Sequence, residues 1–269
     1  MKLFLKLSFL GTRYQGYQVQ GDRPTVQKIL NEVTEHIFGF PCDIVGCSRT
    51  DSGVHAEEFC VTVANKGQGR LETTVPAEKV PRALNALLPE DIAVNDAYWV
   101  PDEFHPRYDV KYKEYVYRMW NGKVRNPFLA DRMFCLPHLA TEEDVARMDC
   151  AAREFVGTHD FRAFMAQGSK VKDTVRTVFD AAVTSGENSV VFRVAANGFL
   201  YNMVRIMAGT LLDVGRGYTA PEEIGNILAG RNRHAAGRTA PAYGLYLHRV
   251  SYTDYDFKEE KDGYFPIYR

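Results

Sequence analysis

Apolar and polar positions alternate from the start of the chain: Leu3, Leu5, Leu7 and Phe9 set against Lys2, Lys6 and Ser8. A period of two marks a half-buried strand over residues 2–10. A polar, glycine-rich loop, GTRYQGYQVQGDRP, follows. The period then lengthens. Val26, Ile29, Leu30, Val33 and Ile37 fall on one face of a helix opened by Pro24. Strands are expected around 42–47 and at 59–65, a helix over 76–89 and a strand over 91–100. The aromatic-rich run 113–120 reads as another strand, and Asn121-Gly122 as a hairpin-type turn. Residues 141–157 open on a Thr141/Asp144 capping pattern and carry Val145, Met148, Ala152 and Phe155 on one side. TVRTVFDAAVTS and SVVFRVAAN form a hairpin around Gly186-Glu187-Asn188. A long helix at 199–215, a shorter one in PEEIGNILAG and a closing strand at 245–252 complete the pattern.

Strands pair as hairpins with helices between them. This order predicts an α+β fold with mostly antiparallel sheets rather than a doubly wound parallel one. Two halves, each with strands and at least one long helix, are expected to share a packed interface. The boundary falls near 101–112, giving a half over 1–105, a half over 106–252 and a tail over 253–269.

Composition narrows the class. Of 269 residues, 45% are hydrophobic and 25% charged, as in ordinary globular proteins. No apolar run approaches the ~20 residues of a membrane span. The five cysteines show no CxxC or Cys/His ligand spacing, which fits reduced thiols in the cytoplasm. Net charge is −1, from 33 basic and 34 acidic residues, which by itself argues against a nucleic-acid partner. The average conceals local groups: Lys111, Lys113, Arg118, Lys123 and Arg125; then Arg162, Lys170, Lys172 and Arg176; then Arg231, Arg233 and Arg238.

Chemistry concentrates in one loop, CSRTDSGVHA, over 47–56. Turn formation accounts for Asp51 and Gly53. It accounts less well for Arg49 and His55. A serine triad drawn from Ser48 or Ser52, His55 and Asp51 fails, because triad members come from separate segments and no G-x-S-x-G elbow is present. A histidine just after a turn is most often a hydrogen-bonded structural residue.

RTDSGVHA resembles the signature loop of the tRNA pseudouridine synthase A family, G-R-T-D-x-G-V-H-A. Three further segments resemble the family's motifs in the same order. These are FHPRY (104–108) with KEYVY (113–117), NGFLYNMVR (197–205), and APAYGLYL (240–247). Ser48 stands where the family most often has glycine. The resemblance runs from the first strand to about residue 252.

The resemblance implies the pseudouridine synthase fold, with two α/β-sandwich-like halves around a central cleft, and an isomerase that needs no cofactor or metal. The N1–C1′ bond of a uridine breaks, the base turns, and C5 bonds to C1′. Asp51 takes the catalytic role, as nucleophile or as base; the sequence leaves both open. Arg205 pairs with Asp51. A nearby cation is expected to lower the carboxyl pKa. Tyr115 stacks on the target base and assists proton transfer. Arg49 helps extrude the nucleotide, and Leu245 lines the uracil pocket. Thr50, His55 and Arg13 join the substrate-binding set. The implied partner is the anticodon stem-loop of tRNAs at positions 38, 39 and 40, bound by a cytoplasmic homodimer. A non-catalytic RNA-binding protein on the same scaffold is the alternative; it would not need Asp51, Tyr115 and Arg205 together.

Overall fold

The first alternating stretch forms β1 (Lys2–Phe9), with Leu3, Leu5 and Leu7 fully buried. The computed structural model describes residues 1–169 and 171–254. Lys170 and the tail beyond Asp254 lie outside the described residues.

Helix α1 (Val26–Phe38) is capped by Thr25, whose hydroxyl accepts the Lys28 N–H at 3.3 Å. This satisfies one orphan donor of the first turn. Pro24 therefore lies just outside the helix. Strands β2 (Cys42–Gly46) and β3 (His55–Asn65) flank the chemistry-rich loop. The helix expected over 76–89 is shorter. A 3-10 turn at Ala77–Lys79 leads into α2 (Val80–Asn85), which has a proline in its first turn.

β4 (Ile92–Val100) and β5 (Tyr112–Trp120) follow. Asn121-Gly122 does not close a hairpin. The Asn121 amide instead clamps Ala140, donating to its carbonyl at 2.9 Å and accepting its N–H at 2.8 Å. The intervening segment returns as β6 (Phe134–Cys135), parallel to β5. The capping box of α3 (Glu142–Arg153) is present in full. β7 (Gly157–Asp160) precedes the hairpin of β8 (Val175–Gly186) and β9 (Ser189–Ala196), whose turn holds Asn188 at φ 55°. The helix expected from residue 199 starts later, as α4 (Met203–Gly215), because Asn202 adopts the left-handed conformation. α5 (Glu223–Gly230) and β10 (Leu245–Ser251) end the described chain.

All ten strands of the described residues belong to one sheet. Its order is β4-β1-β3-β10-β5-β9-β8-β7, with β2 on β3 and β6 on β5. The fold is α+β and mostly antiparallel; among the described strands only β10 with β3 and β5 with β6 run parallel. The late strand β10 sits at the centre. It pairs with β3 through Tyr246 opposite His55 and Leu247 opposite Ala56, and with β5 on its other edge.

The two faces of the sheet have different chemistry. Alternation puts Tyr115 and Tyr117 on the face packed with apolar side chains. Glu114, Arg118, Arg193 and Asp180 point the opposite way. There Glu114, 3% exposed, is held by Arg193 at 3.1 Å, and Glu57 by Arg118 at 2.7 Å. Arg193 also pairs with Asp180, and His248 with Glu57. A buried carboxylate is tolerable only with such partners.

One close approach fixes α4 in place. A Cβ on Gly209 would lie 1.7 Å from the Arg238 carbonyl oxygen, so the helix and the strap of chain that joins α5 to β10 touch backbone to backbone. Gly209→Ala should destabilise the protein by ~1–3 kcal/mol, as overpacking does. A urea titration reads this directly. An unchanged midpoint would show that helix and strap separate freely.

Candidate active site

Asp51 lies in the loop between β2 and β3. Backbone bonds hold that loop at both ends: Cys47 N–H to the Cys60 carbonyl at 2.8 Å, and Val54 N–H to the Asp51 carbonyl at 3.1 Å. Gly53 turns the chain at φ +80°, where a side chain would be strained. The glycine-rich loop supports it from behind. The Tyr14 carbonyl accepts from the Gly53 N–H, and the Tyr17 N–H donates to the Thr50 carbonyl, each at 3.3 Å.

Arg205 reaches the same point from the first turn of α4. Its Nε donates to the Ala240 carbonyl and its Nη1 to Asn202 Oδ1, both at 2.7 Å. Nη1 lies 3.6 Å from Asp51 Oδ2, an ion pair slightly too long for a good hydrogen bond. Tyr115 rises from β5 with its ring edge-on to Phe199 at 5.0 Å. Leu245 begins β10 beside Tyr117.

These groups line one cleft of about 1070 Å³. Its wall also carries Arg49, Thr50, Arg23, Arg107 and Lys113, with Tyr201 and Asn202 opposite. Among the described residues five cations, Arg23, Arg49, Arg107, Lys113 and Arg205, face a single carboxylate, Asp51. The cleft is therefore strongly positive in a chain of net charge −1.

Asp51, Arg205, Tyr115, Arg49, Thr50 and Leu245 come together as the sequence suggests. Two expected substrate contacts do not. His55 is fully buried beneath the loop. Its Nδ1 accepts the Gly11 N–H at 2.9 Å, so the proton sits on Nε2, which faces the Tyr243 carbonyl at 3.0 Å. Neither nitrogen is left for a substrate, and burial holds the ring neutral by lowering its pKa. Arg13 turns aside to Asp91, 2.6 Å away, and takes no part in the cleft wall.

The basic stretches also disperse. Lys113 faces the cleft, whereas Arg118 lies on the other side of the sheet, stacked over Tyr246 at 4.2 Å. Arg231 pairs with Asp160 at 3.1 Å, and Arg233 donates to the carbonyls of Ala236 and Gly237. Sequence reasoning assigned no role to Asn202 or to the Ala240 carbonyl. Both lie inside segments that resemble family motifs, but only the structure brings them to Arg205.

The tRNA pseudouridine synthase model matches residues 7–109 and 151–253. The chain belongs to the tRNA pseudouridine synthase family. It is 42% identical to the tRNA pseudouridine synthase A of Thermoanaerobacter sp. (strain X514) over 250 residues, covering 93% of this chain and 99% of that protein. The Anoxybacillus flavithermus protein of the same name is also 42% identical, over 91% of this chain and 96% of its own. That of Bacillus licheniformis is 42% identical over 94% of this chain and 99% of its own. A solved archaeal box H/ACA sRNP complex is 16% identical with a TM-score of 0.33, covering 90% of this chain and 46% of that one, too loose a likeness to carry a fold argument.

The electrostatics of the family member's cleft depart from the simple expectation. Arg205 was expected to pull the Asp51 carboxyl down. Burial pushes it up, and Arg205 offsets this only in part, so the net shift is upward. Tyr115 is raised as well, well above the ordinary phenol range, chiefly by burial.

A raised carboxyl pKa has a definite linkage sign. Below the ordinary carboxylate range Asp51 is protonated in both states and costs nothing. As pH rises from that range through the folded pKa, charging Asp51 costs stability. Asp51→Asn should therefore gain stability relative to the native protein between about pH 3 and pH 7. Urea titrations across that range give the difference; a pH-independent gap would contradict the buried-charge account.

Proposed function

We propose that this chain converts uridine to pseudouridine in the anticodon stem-loop of tRNAs, at positions 38, 39 and 40. One observation carries the reading. Among the described residues a single carboxylate, ion-paired to Arg205, sits in a cleft whose other charges are all positive. A polyanion is drawn into such a cleft, and the lone carboxylate faces its sugar.

Asp51 acts at the ribose of the target uridine. As a carboxylate it attacks C1′ as a nucleophile or takes a proton from the sugar. The N1–C1′ bond breaks, the uracil turns, and C5 bonds to C1′. The C5 proton leaves and N1 gains one, so atoms balance without a redox step. Arg205 aims the carboxylate. Tyr115 and Leu245 bracket the base. Burial keeps the Tyr115 phenol protonated, so it serves as a stacking and hydrogen-bonding surface rather than as a phenolate base. Arg49, exposed on the rim, supports the extruded nucleotide, an extrusion that costs a few kcal/mol. Thr50 positions the loop, through the bond between its carbonyl and the Tyr17 N–H.

The working form in this reading is a cytoplasmic homodimer. Two copies would join two positive clefts into the long surface that a tRNA requires. Among the described residues no helix is long and apolar enough to cross a membrane.

The deciding measurement is tritium release from tRNA transcripts labelled at uridine C5, with binding measured separately. The native protein should release tritium, and Asp51→Ala should be slower by about 1,000-fold or more while still binding tRNA. Tight binding without release by the native protein would overturn the enzyme reading. The rate should also fall on acidification, with a midpoint above the ordinary carboxylate value because Asp51 must be ionised. An acid limb at or below that value would remove Asp51 as the titrating group.

A further inference from the structure

Four of the five cleft cations, Arg23, Arg49, Arg107 and Lys113, have no carboxylate within 4.0 Å among the described residues. Three of them are exposed on the rim. Lys113 is different. It lies deeper, on the same face of β5 as Tyr115, and its Nζ donates to the Cys47 carbonyl at 2.7 Å. An ammonium carries three donors, so this neutral acceptor leaves two for a ligand and cancels none of the charge.

Arg107 adds a second cation to the same part of the wall. Burial lowers the Lys113 pKa most; Cys47 opposes it, and the Arg107 charge, a weaker effect than that of Cys47, acts in the same direction as burial. Two like charges held in a partly dry cleft cost free energy unless an anion comes between them. No described carboxylate does so.

We propose that Lys113 and Arg107 form a subsite for an RNA phosphodiester, the one that anchors the extruded uridine while its base is detached. The inference rests on the reading that the substrate is RNA. Lys113 and Tyr115 are two residues apart on one strand face, about 7 Å. One nucleotide can span that distance, with its base at Tyr115 and its phosphate at Lys113. Uracil itself is a neutral ring and does not call for two adjacent cations. A phosphodiester carries a full charge and several acceptor oxygens for lysine and arginine donors. Such an anchor has a clear use. Once N1–C1′ breaks, the sugar must stay in place while the free base turns.

The test combines salt dependence with a neutral linkage. Stem-loop RNAs carrying the target uridine are prepared with a methylphosphonate at one linkage at a time. Binding and tritium release are measured for the native protein, Lys113→Met and Arg107→Gln. Methionine keeps the buried stem, and Arg107 is exposed, so at least the second variant retains the fold. Each substitution should weaken binding about 10-fold at low salt. Each should also lessen the slope of log affinity against log salt by ~0.7–0.9, the loss of one phosphate contact. At one linkage next to the target uridine, the neutral RNA should bind the native protein as weakly as it binds Lys113→Met. Removing both partners should add nothing further. Unchanged salt slopes with no such linkage would overturn the subsite, as would a Lys113→Met loss confined to turnover at saturating RNA. Tritium release by the native protein is read in the same samples. Its absence would refute the isomerase while the binding cycle still reports on the phosphate site.

Discussion

Arg205 ties three separate parts of the chain to one point. Its guanidinium bonds the Ala240 carbonyl, the Asn202 amide oxygen and, by charge, Asp51. Asp51 comes from the first fifth of the sequence, and the other two from its last quarter. Asn202 is three residues from Arg205, but no local interaction can bring Asp51 and Ala240 to it. The central sheet does, because β10 lies between β3 and β5 and its leading segment passes over α4. The parallel pairing of Tyr246 with His55 and Leu247 with Ala56 therefore has more than a packing role. It sets the distance between a loop that follows β2 and a helix that follows β9. His55 reinforces the same joint, bonded to Gly11 on one side and to the Tyr243 carbonyl on the other.

Charge is sorted by surface, which is why the average misleads. On the face of the sheet away from Tyr115, Glu57, Glu114 and Asp180 are matched by Arg118, His248 and Arg193. Along α3, Asp144 and Asp149 take Arg147 and Arg153. Asp91 takes Arg13, and Asp160 takes Arg231. Acids, paired and unpaired, thus lie outside the cleft, and among the described residues the bases lining it meet Asp51 alone. A net charge of −1 then coexists with a cleft suited to a polyanion.

Much of this was legible in the sequence because it depends on local period and local turn chemistry. The alternation of β1, the Thr141/Asp144 box and the Gly186–Asn188 hairpin are short-range features, and each appears as expected. The Asp51 loop was legible for the same reason, since its residues exceed what a turn requires. What failed was long-range. Asn121-Gly122 reads as a turn, but its amide is taken by Ala140, nineteen residues away. The basic run 111–125 looks continuous, yet strand alternation sends Lys113 and Arg118 to opposite faces. The upward shift of Asp51 was not legible, because sequence names the arginine but not the depth of burial.

Two of the cleft cations, Arg205 and Lys113, are held by backbone carbonyls, and this bears on how the site works. Arg205 is fixed by the Ala240 carbonyl and Lys113 by the Cys47 carbonyl, while Tyr115 is braced by the edge of Phe199. A carboxylate would hold these cations as firmly, but it would cancel their charge. A backbone carbonyl orients the donor and leaves the field intact. The cost is a cleft of mutually repelling, partly dehydrated charges, which the large apolar core on the same face of the sheet must offset. The return is preorganisation: charged groups already aimed need little rearrangement when the substrate arrives, and electrostatic stabilisation is most effective where that reorganisation is smallest.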